Sequence, residues 1–179
     1  MKITRRKTLA GGAALLTLAL LAPMSAEADG AAAEPLALVS SKQGGVADLS
    51  LFQLKRLYLG DAVQAGGQDL IALNRDLKGL ERTSFDKTVL GMSPEAAARY
   101  WVDRRIRGQS GAPKAVEPAA VIQRVVAKLP RAIAYVRVRD LSPDVQVVRI
   151  DGRKPGDPGY PISIEGGKSV ARVSRGFWF

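Results

Sequence analysis

From residue 36 onward, short apolar runs typical of strands alternate with stripes of helical spacing. Residues 36–39 and 70–73 are apolar runs beside turn residues, a pattern that indicates buried strands. Residues 132–138 and 145–150 are rich in β-branched side chains, and the turn Ser142-Pro143-Asp144 separates them. These four segments predict the strands of one sheet.

Four further segments have helical spacing: 51–59, 80–90, 94–107 and 118–128. Ser50 is placed to cap the first helix, and Gly60 to end it. Ser93-Pro94-Glu95 combines a cap, a first-turn proline and a carboxylate at the positive end of the dipole, which indicates the start of the third helix. The order β-α-β-α-α-α-β-β predicts an α/β domain with a twisted, mixed sheet flanked by helices.

The N-terminus has the features of an export signal. Four basic residues precede the apolar stretch 9–21, and Ala26-Glu27-Ala28 is a small-x-small cleavage sequence. The apolar stretch is shorter than the roughly 20 residues that a membrane-spanning helix needs, so we do not expect an integral membrane protein. We expect cleavage near Ala28 and a periplasmic location. Arg5-Arg6 followed by Leu9 leaves the general and the twin-arginine export routes both open.

The domain limits follow from these patterns. Residues 1–28 are the expected signal peptide, 29–35 a flexible mature N-terminus, 36–161 the folded lobe, and 162–179 a C-terminal hairpin or tail with its turn at Gly166-Gly167. With 179 residues the chain has room for one domain of ordinary size after the signal is removed.

The composition excludes several kinds of catalytic site. The chain has no cysteine and no histidine, which removes thiolate nucleophiles, sulfur and imidazole metal ligands, and the Ser-His-Asp and Cys-His arrangements. Its aspartates lack metal-ligand spacing. We therefore expect no enzyme, no metal site and no cofactor.

The charge of the chain is strongly positive. The net charge is +10, and removal of residues 1–28 leaves about +7. This field favours anionic partners, while a merely solubilising surface remains an equal alternative. Export argues against nucleic acid as the partner.

Basic and aromatic residues interleave at 99–107, but helical spacing favours Tyr100 and Trp101 as core residues with the neighbouring arginines solvated.

The order of motifs between residues 48 and 101 resembles one lobe of the periplasmic phosphate-binding-protein family. The resemblance rests on the segments DLSLFQLKRLYLGD, DLIALNR and LERTSFDKTVLGMSPEAAARYW, followed by AIAYVRV and GYPI. The resemblance covers 36–161 and implies a single lobe of a type II periplasmic-binding-protein fold. It also implies a non-enzymatic solute-binding module, with phosphate or another oxyanion as ligand and a transporter or an envelope protein as partner.

The same resemblance implies where an anion would bind. In the family, a strand runs into an Arg and then into a Ser-Gly-Thr turn that opens the next helix. Here Asn74-Arg75 matches the strand end and Arg82 continues the match, whereas Lys78-Gly79-Leu80 replaces the hydroxyl-bearing turn. Ser110 belongs to the glycine-rich loop 108–113, which resembles a cleft-lining loop.

The candidate ligand-binding residues are therefore Asn74, Arg75, Lys78, Gly79, Arg82 and Ser110. The alternative for the two arginines is solvated surface charge. For Gly79 it is turn geometry, and for Ser110 it is a plain connector. An envelope interaction or scaffold protein without a small ligand remains the alternative function. The sequence leaves the oligomeric state open.

Overall fold

The structure, a computed structural model, describes residues 33–164. Four α-helices and nine strands alternate along this part of the chain, with a π-helical turn at Asp86–Leu90 and a 3-10 turn at Val138–Asp140. The strands are β1 Glu34–Ser41, β2 Asp48–Leu49, β3 Gln64–Ala65, β4 Gln68–Asp69, β5 Ile71–Asn74, β6 Lys114–Ala115, β7 Ala132–Arg137, β8 Val145–Ile150 and β9 Ser163–Ile164. The helices are α1 Leu51–Tyr58, α2 Leu80–Phe85, α3 Pro94–Ile106 and α4 Ala119–Lys128.

Seven strands form one mixed sheet in the order β2-β8-β1-β7-β5-β6, with β9 paired to the start of β1. The central strand β1 runs antiparallel to β7, β8 and β9. Strand β5 is parallel to both β6 and β7. The short strands β3 and β4 form a separate hairpin.

Each face of the sheet has its own hydrophobic core. Because side chains alternate along a strand, Leu36 and Leu38 of β1 lie in one core while Ala37 and Val39 lie in the other. The first core contains α1, α2 and the π-helical turn, and the second contains α4. The sheet is therefore covered on both sides, as expected for an α/β layered domain.

The predicted helix starts are confirmed. The Ser50 hydroxyl accepts a hydrogen bond from the Gln53 amide, and the Gln53 side chain accepts one from the Ser50 amide. The Ser93 hydroxyl accepts a bond from the Ala96 amide. Gly60 follows α1 with φ 86°, the left-handed conformation that a glycine stop supplies.

The predicted α/β class, with a mixed sheet flanked by helices, is likewise confirmed. Four two-residue strands, β2, β3, β4 and β6, were not predicted, since two residues carry no readable alternation. Ser163–Ile164 joins the main sheet beside β1. The expected signal peptide, residues 29–32 and the hairpin turn at Gly166-Gly167 lie outside the described residues. Within residues 33–164, no helix is long and apolar enough to cross a membrane.

Candidate functional site

The carboxyl ends of three parallel strands lie at one edge of the sheet. Strand β5 ends at Asn74 and is followed by Arg75, β6 is followed by Glu117, and β7 ends at Arg137. In open α/β sheets, ligands bind in the crevice outside such strand ends. A ligand site is therefore expected at this edge.

Arg75 is held deep in this edge. Its side chain is only 9% exposed, and one terminal nitrogen, Nη2, lies 2.8 Å from Glu117 Oε2. Its Nε and Nη1 have no hydrogen-bond partner among the described residues. A buried guanidinium with two free nitrogens retains donors for a further acceptor.

The side chain of Asn74 fixes the main chain before this arginine. Its Oδ1 accepts hydrogen bonds from the Tyr135 hydroxyl at 2.5 Å and from the Arg75 amide at 3.1 Å. Burial raises the pKa of Tyr135, so this hydroxyl stays protonated and donates. Asn74 is therefore an internal support and uses its side-chain oxygen within the protein.

Glu117 bridges two loops at the same edge. Its Oε2 accepts from Arg75, and its Oε1 accepts from the Asp76 amide at 2.9 Å. The Val116 amide donates to the Asn74 carbonyl at 2.9 Å, which holds the Glu117 segment alongside β5. Glu117 is 38% exposed at its side chain, so this contact faces solvent.

Arg82 lies in the interior and is paired within its own helical segment. Its Nε donates to Asp86 Oδ2 at 2.6 Å, with side chains 4% and 2% exposed. Burial raises the pKa of Asp86, and the Arg82 charge and hydrogen bond offset only part of that effect. Asp86 Oδ1 has no hydrogen-bond partner within residues 33–164.

Arg137 is also neutralised by carboxylates. Its Nε donates to Glu81 Oε1 at 2.5 Å, and its Nη1 lies 3.2 Å from Glu34 Oε2. Burial opposes ionisation of Glu81, but the Arg137 hydrogen bond and charge outweigh it, and the pKa of Glu81 lies below its usual range. Arg139 adds a further contact to Glu34 at 3.3 Å.

Arg75, Arg82, Arg137 and Arg139 therefore each pair with a carboxylate of the same chain. Sequence reasoning missed those carboxylates: Glu34, Glu81, Asp86 and Glu117. The Arg82–Asp86 pair has a readable i, i+4 signal, since both lie on one predicted helix. The Arg75–Glu117 and Arg137–Glu34 contacts join distant segments, and no local pattern reveals them.

The remaining loop candidates lie in different positions. Gly79 precedes α2 as its N-cap residue with φ −76°, so it requires no left-handed backbone. Lys78 is exposed, and its amide donates to Asp76 Oδ1 at 3.0 Å. Lys78 is thus a solvent-exposed residue of the loop between β5 and α2.

Ser110 forms contacts on another part of the surface. Its hydroxyl donates to the Gly60 carbonyl at 3.4 Å and accepts from Arg104 Nη2 at 3.3 Å. Arg104 also lies over the rings of Tyr100 and Trp101, each centroid 5.8 Å from its Cζ. Ser110 therefore belongs to the contact between its loop and the end of α1, apart from Asn74 and Arg75.

A groove of about 250 Å³ lies between the loop after β5, α3 and the glycine-rich loop. Its floor includes Arg82 and Trp101, and exposed Leu77 and Val102 flank it. Arg105 lines it as a cation. Ala112 and Pro113 bring the glycine-rich loop to the groove, even though Ser110 points elsewhere.

Three surface predictions are wrong. Arg75 and Arg82 are buried, so the alternative that both are solvated surface charges fails. Among the arginines expected to be solvated at 99–107, Arg104 is half-buried against Gly60 and two aromatic rings. Trp101 is buried as predicted, whereas Tyr100 is only half-buried, and its hydroxyl donates to the Leu59 carbonyl at 2.9 Å.

Several solved structures share this fold. An ABC-type phosphate transport receptor from Vibrio cholerae matches 68% of this chain and 48% of its own, at 19% identity and TM-score 0.54. A putative phosphate ABC transporter substrate-binding protein with bound phosphate from Clostridium perfringens matches 68% and 47%, at 20% identity and TM-score 0.55. PstS from Borrelia burgdorferi matches 74% and 55%, at 16% identity and TM-score 0.55.

No protein-family model matches the chain, and no curated protein is similar to it in sequence. The chain spans about half the length of the receptors it matches. At these identities the likeness concerns the fold alone. The chain thus has the fold found in about half of a phosphate transport receptor.

Proposed function

We propose that this protein is an exported, non-enzymatic solute-binding module that takes phosphate or another oxyanion at Arg75. The observation that carries the proposal is the buried Arg75 guanidinium, whose Nε and Nη1 have no acceptor among residues 33–164. A guanidinium presents its N–H groups in a fixed fork that matches two oxygens of a phosphate.

The surroundings support this choice of residue. Arg75 follows β5 at the edge where strand ends of α/β folds meet their ligands. The Asp76 amide next to it is a second donor directed at an acceptor, since it already holds a carboxylate oxygen. The similar receptors are named for phosphate transport or carry phosphate. A transporter partner and a periplasmic location belong to the same proposal.

Isothermal titration of the mature protein with phosphate and sulfate tests it. We expect saturable heat for the unaltered protein and its loss in Arg75→Ala. Arg99→Ala is the matched control, because it removes one exposed cation from α3 and leaves the sheet edge intact. Equal binding by all three proteins would place the anion elsewhere, and absence of heat at millimolar anion would reject the ligand.

A second candidate function is interaction with an envelope protein through the groove. The favouring observation is that Leu77 and Val102, 57% and 58% exposed, flank a groove that Arg105 lines. Such a surface fits a protein segment that combines apolar side chains with carboxylates. A partner of this kind should lose binding to Val102→Asp, retain binding to Thr88→Asp, and bind more weakly as salt increases.

A further inference from the structure

The carboxylate of Glu117 occupies two donors beside the unpaired Arg75 Nε and Nη1, within the region where an oxyanion at Arg75 would bind. Its two oxygens accept one bond from a guanidinium, Arg75 Nη2 at 2.8 Å, and one from a main-chain amide, that of Asp76 at 2.9 Å. Guanidinium and backbone N–H groups together are the usual donors in phosphate and sulfate sites. From this contact we propose that the Glu117 carboxylate competes with an external oxyanion for Arg75 and thereby weakens oxyanion binding there.

The contact is placed where an external anion can compete. The Glu117 side chain is 38% exposed, whereas the Arg75 side chain that it contacts is 9% exposed, so the carboxylate is the more accessible partner of this ion pair. Arg82 and Arg137 are different, because their carboxylate partners are buried or half-buried. Glu117 is thus the most exposed of these carboxylates paired to a buried arginine.

The segment that holds Glu117 beside β5 determines how strongly its carboxylate competes with an external anion. The Val116 amide bonds to the Asn74 carbonyl, which keeps the carboxylate close to Arg75. A group held by a short segment competes at an effective concentration of about millimolar or above. An external oxyanion must therefore displace Glu117 or bind beside a like charge, and either route weakens its apparent affinity.

This inference rests on the proposed function, since it assigns a regulator to the same site. The test is a phosphate titration by calorimetry on four proteins: the unaltered chain, Glu117→Gln, Glu117→Ala and the control Glu95→Gln. Glu95 is an exposed glutamate whose side chain contacts Ser93 at the start of α3. Its replacement removes the same charge from another part of the surface.

We expect both Glu117 variants to bind phosphate about tenfold more tightly than the unaltered chain, because a competing like charge is removed. Glu95→Gln should bind as the unaltered chain does. Combining Arg75→Ala with Glu117→Ala should abolish the gain. Glu117→Gln keeps an oxygen for the Asp76 amide, so it preserves the loop contact if Glu117→Ala folds poorly.

A second readout uses thermal unfolding of Glu117→Ala. Loss of the carboxylate leaves Arg75 without its partner, and added acetate or phosphate should restore the melting temperature. The same anions should stabilise Glu95→Gln less, because Glu117 still pairs with Arg75 in that variant. No differential rescue would overturn the inference.

The outcomes separate this inference from the function beneath it. If the unaltered chain binds phosphate and the Glu117 variants bind equally or more weakly, Glu117 is a structural or ligand contact and only the inference fails. If the folded variants and the unaltered chain all bind no phosphate, the oxyanion function and the inference both fail. Binding by the Glu117 variants alone would support both.

Discussion

Arg75 and Arg82 are both buried, but their guanidinium groups differ in their hydrogen bonds. Arg82 donates to Asp86 inside the core, while Arg75 keeps two nitrogens without a partner in the described part of the chain. A buried cation without its carboxylate is strongly unfavourable. Arg82 is thus a structural residue and Arg75 a candidate for binding.

The structural role of the Arg82 pair predicts a large loss of stability in Asp86→Asn. Removal of the charge leaves Arg82 buried and unpaired, which should lower the free energy of unfolding by about 3 kcal/mol or more. The control Asp61→Asn breaks the half-exposed Arg56–Asp61 pair and should cost below about 1 kcal/mol. Urea unfolding measures both, and equal losses would contradict the assignment.

The ion pair between Glu81 and Arg137 leads to a prediction of how the stability of the protein depends on pH. Its folded pKa lies below the ordinary value of 4.5, since Arg137 outweighs the effect of burial. The charged form therefore stabilises the fold above pH 4.5, and this contribution is lost as the pH falls through the folded pKa. The stability difference between the unaltered protein and Glu81→Gln should be full at pH 7 and shrink at pH 3 to 4. A difference independent of pH would contradict this.

At the scale of elements, local chemistry predicted the helices well. The hydroxyls of Ser50 and Ser93 cap their helices as their positions indicated, because capping depends only on neighbours in the chain. The strands of four residues or more were also predicted. The two-residue strands and the partners of Arg75 and Arg137 depend on tertiary contacts, so no local pattern could reveal them.

The end of the π-helical turn provides a test of backbone chemistry. Gly91 closes it with φ 70°, and a Cβ there would meet no atom within 4 Å. Gly91→Ala should therefore lower the free energy of unfolding by about 1 kcal/mol through backbone strain alone. Gly111→Ala is the control, because that glycine has equal space but no left-handed φ. Similar effects of both changes would reject this explanation.

At the scale of the whole molecule, residues 33–164 form one lobe, and the chain spans about half the length of the receptors that it matches. The resemblance read from the motifs of residues 48–101 therefore led to the correct fold. The candidate site was predicted only in part: the sequence named Arg75, whereas the contact of Arg75 with Glu117 joins two distant loops.

The proposed export predicts a specific mature N-terminus. Residues 1–28 contain the basic and apolar segments expected of a signal peptide, so under this proposal the secreted form should begin at Asp29. Intact mass and N-terminal sequencing of the protein from the periplasmic fraction check this. A protein that retains residues 1–28, or that stays in the cytoplasm, would contradict the proposed location.

The central claim, that Arg75 binds an oxyanion, is tested most directly by NMR of the mature protein during a phosphate titration. The account predicts that the Nε–H signal of Arg75 and the Asp76 amide shift together and saturate, while Arg99 is unchanged. Shifts confined to Arg105 and the groove, or no saturable shift at millimolar phosphate, would contradict it.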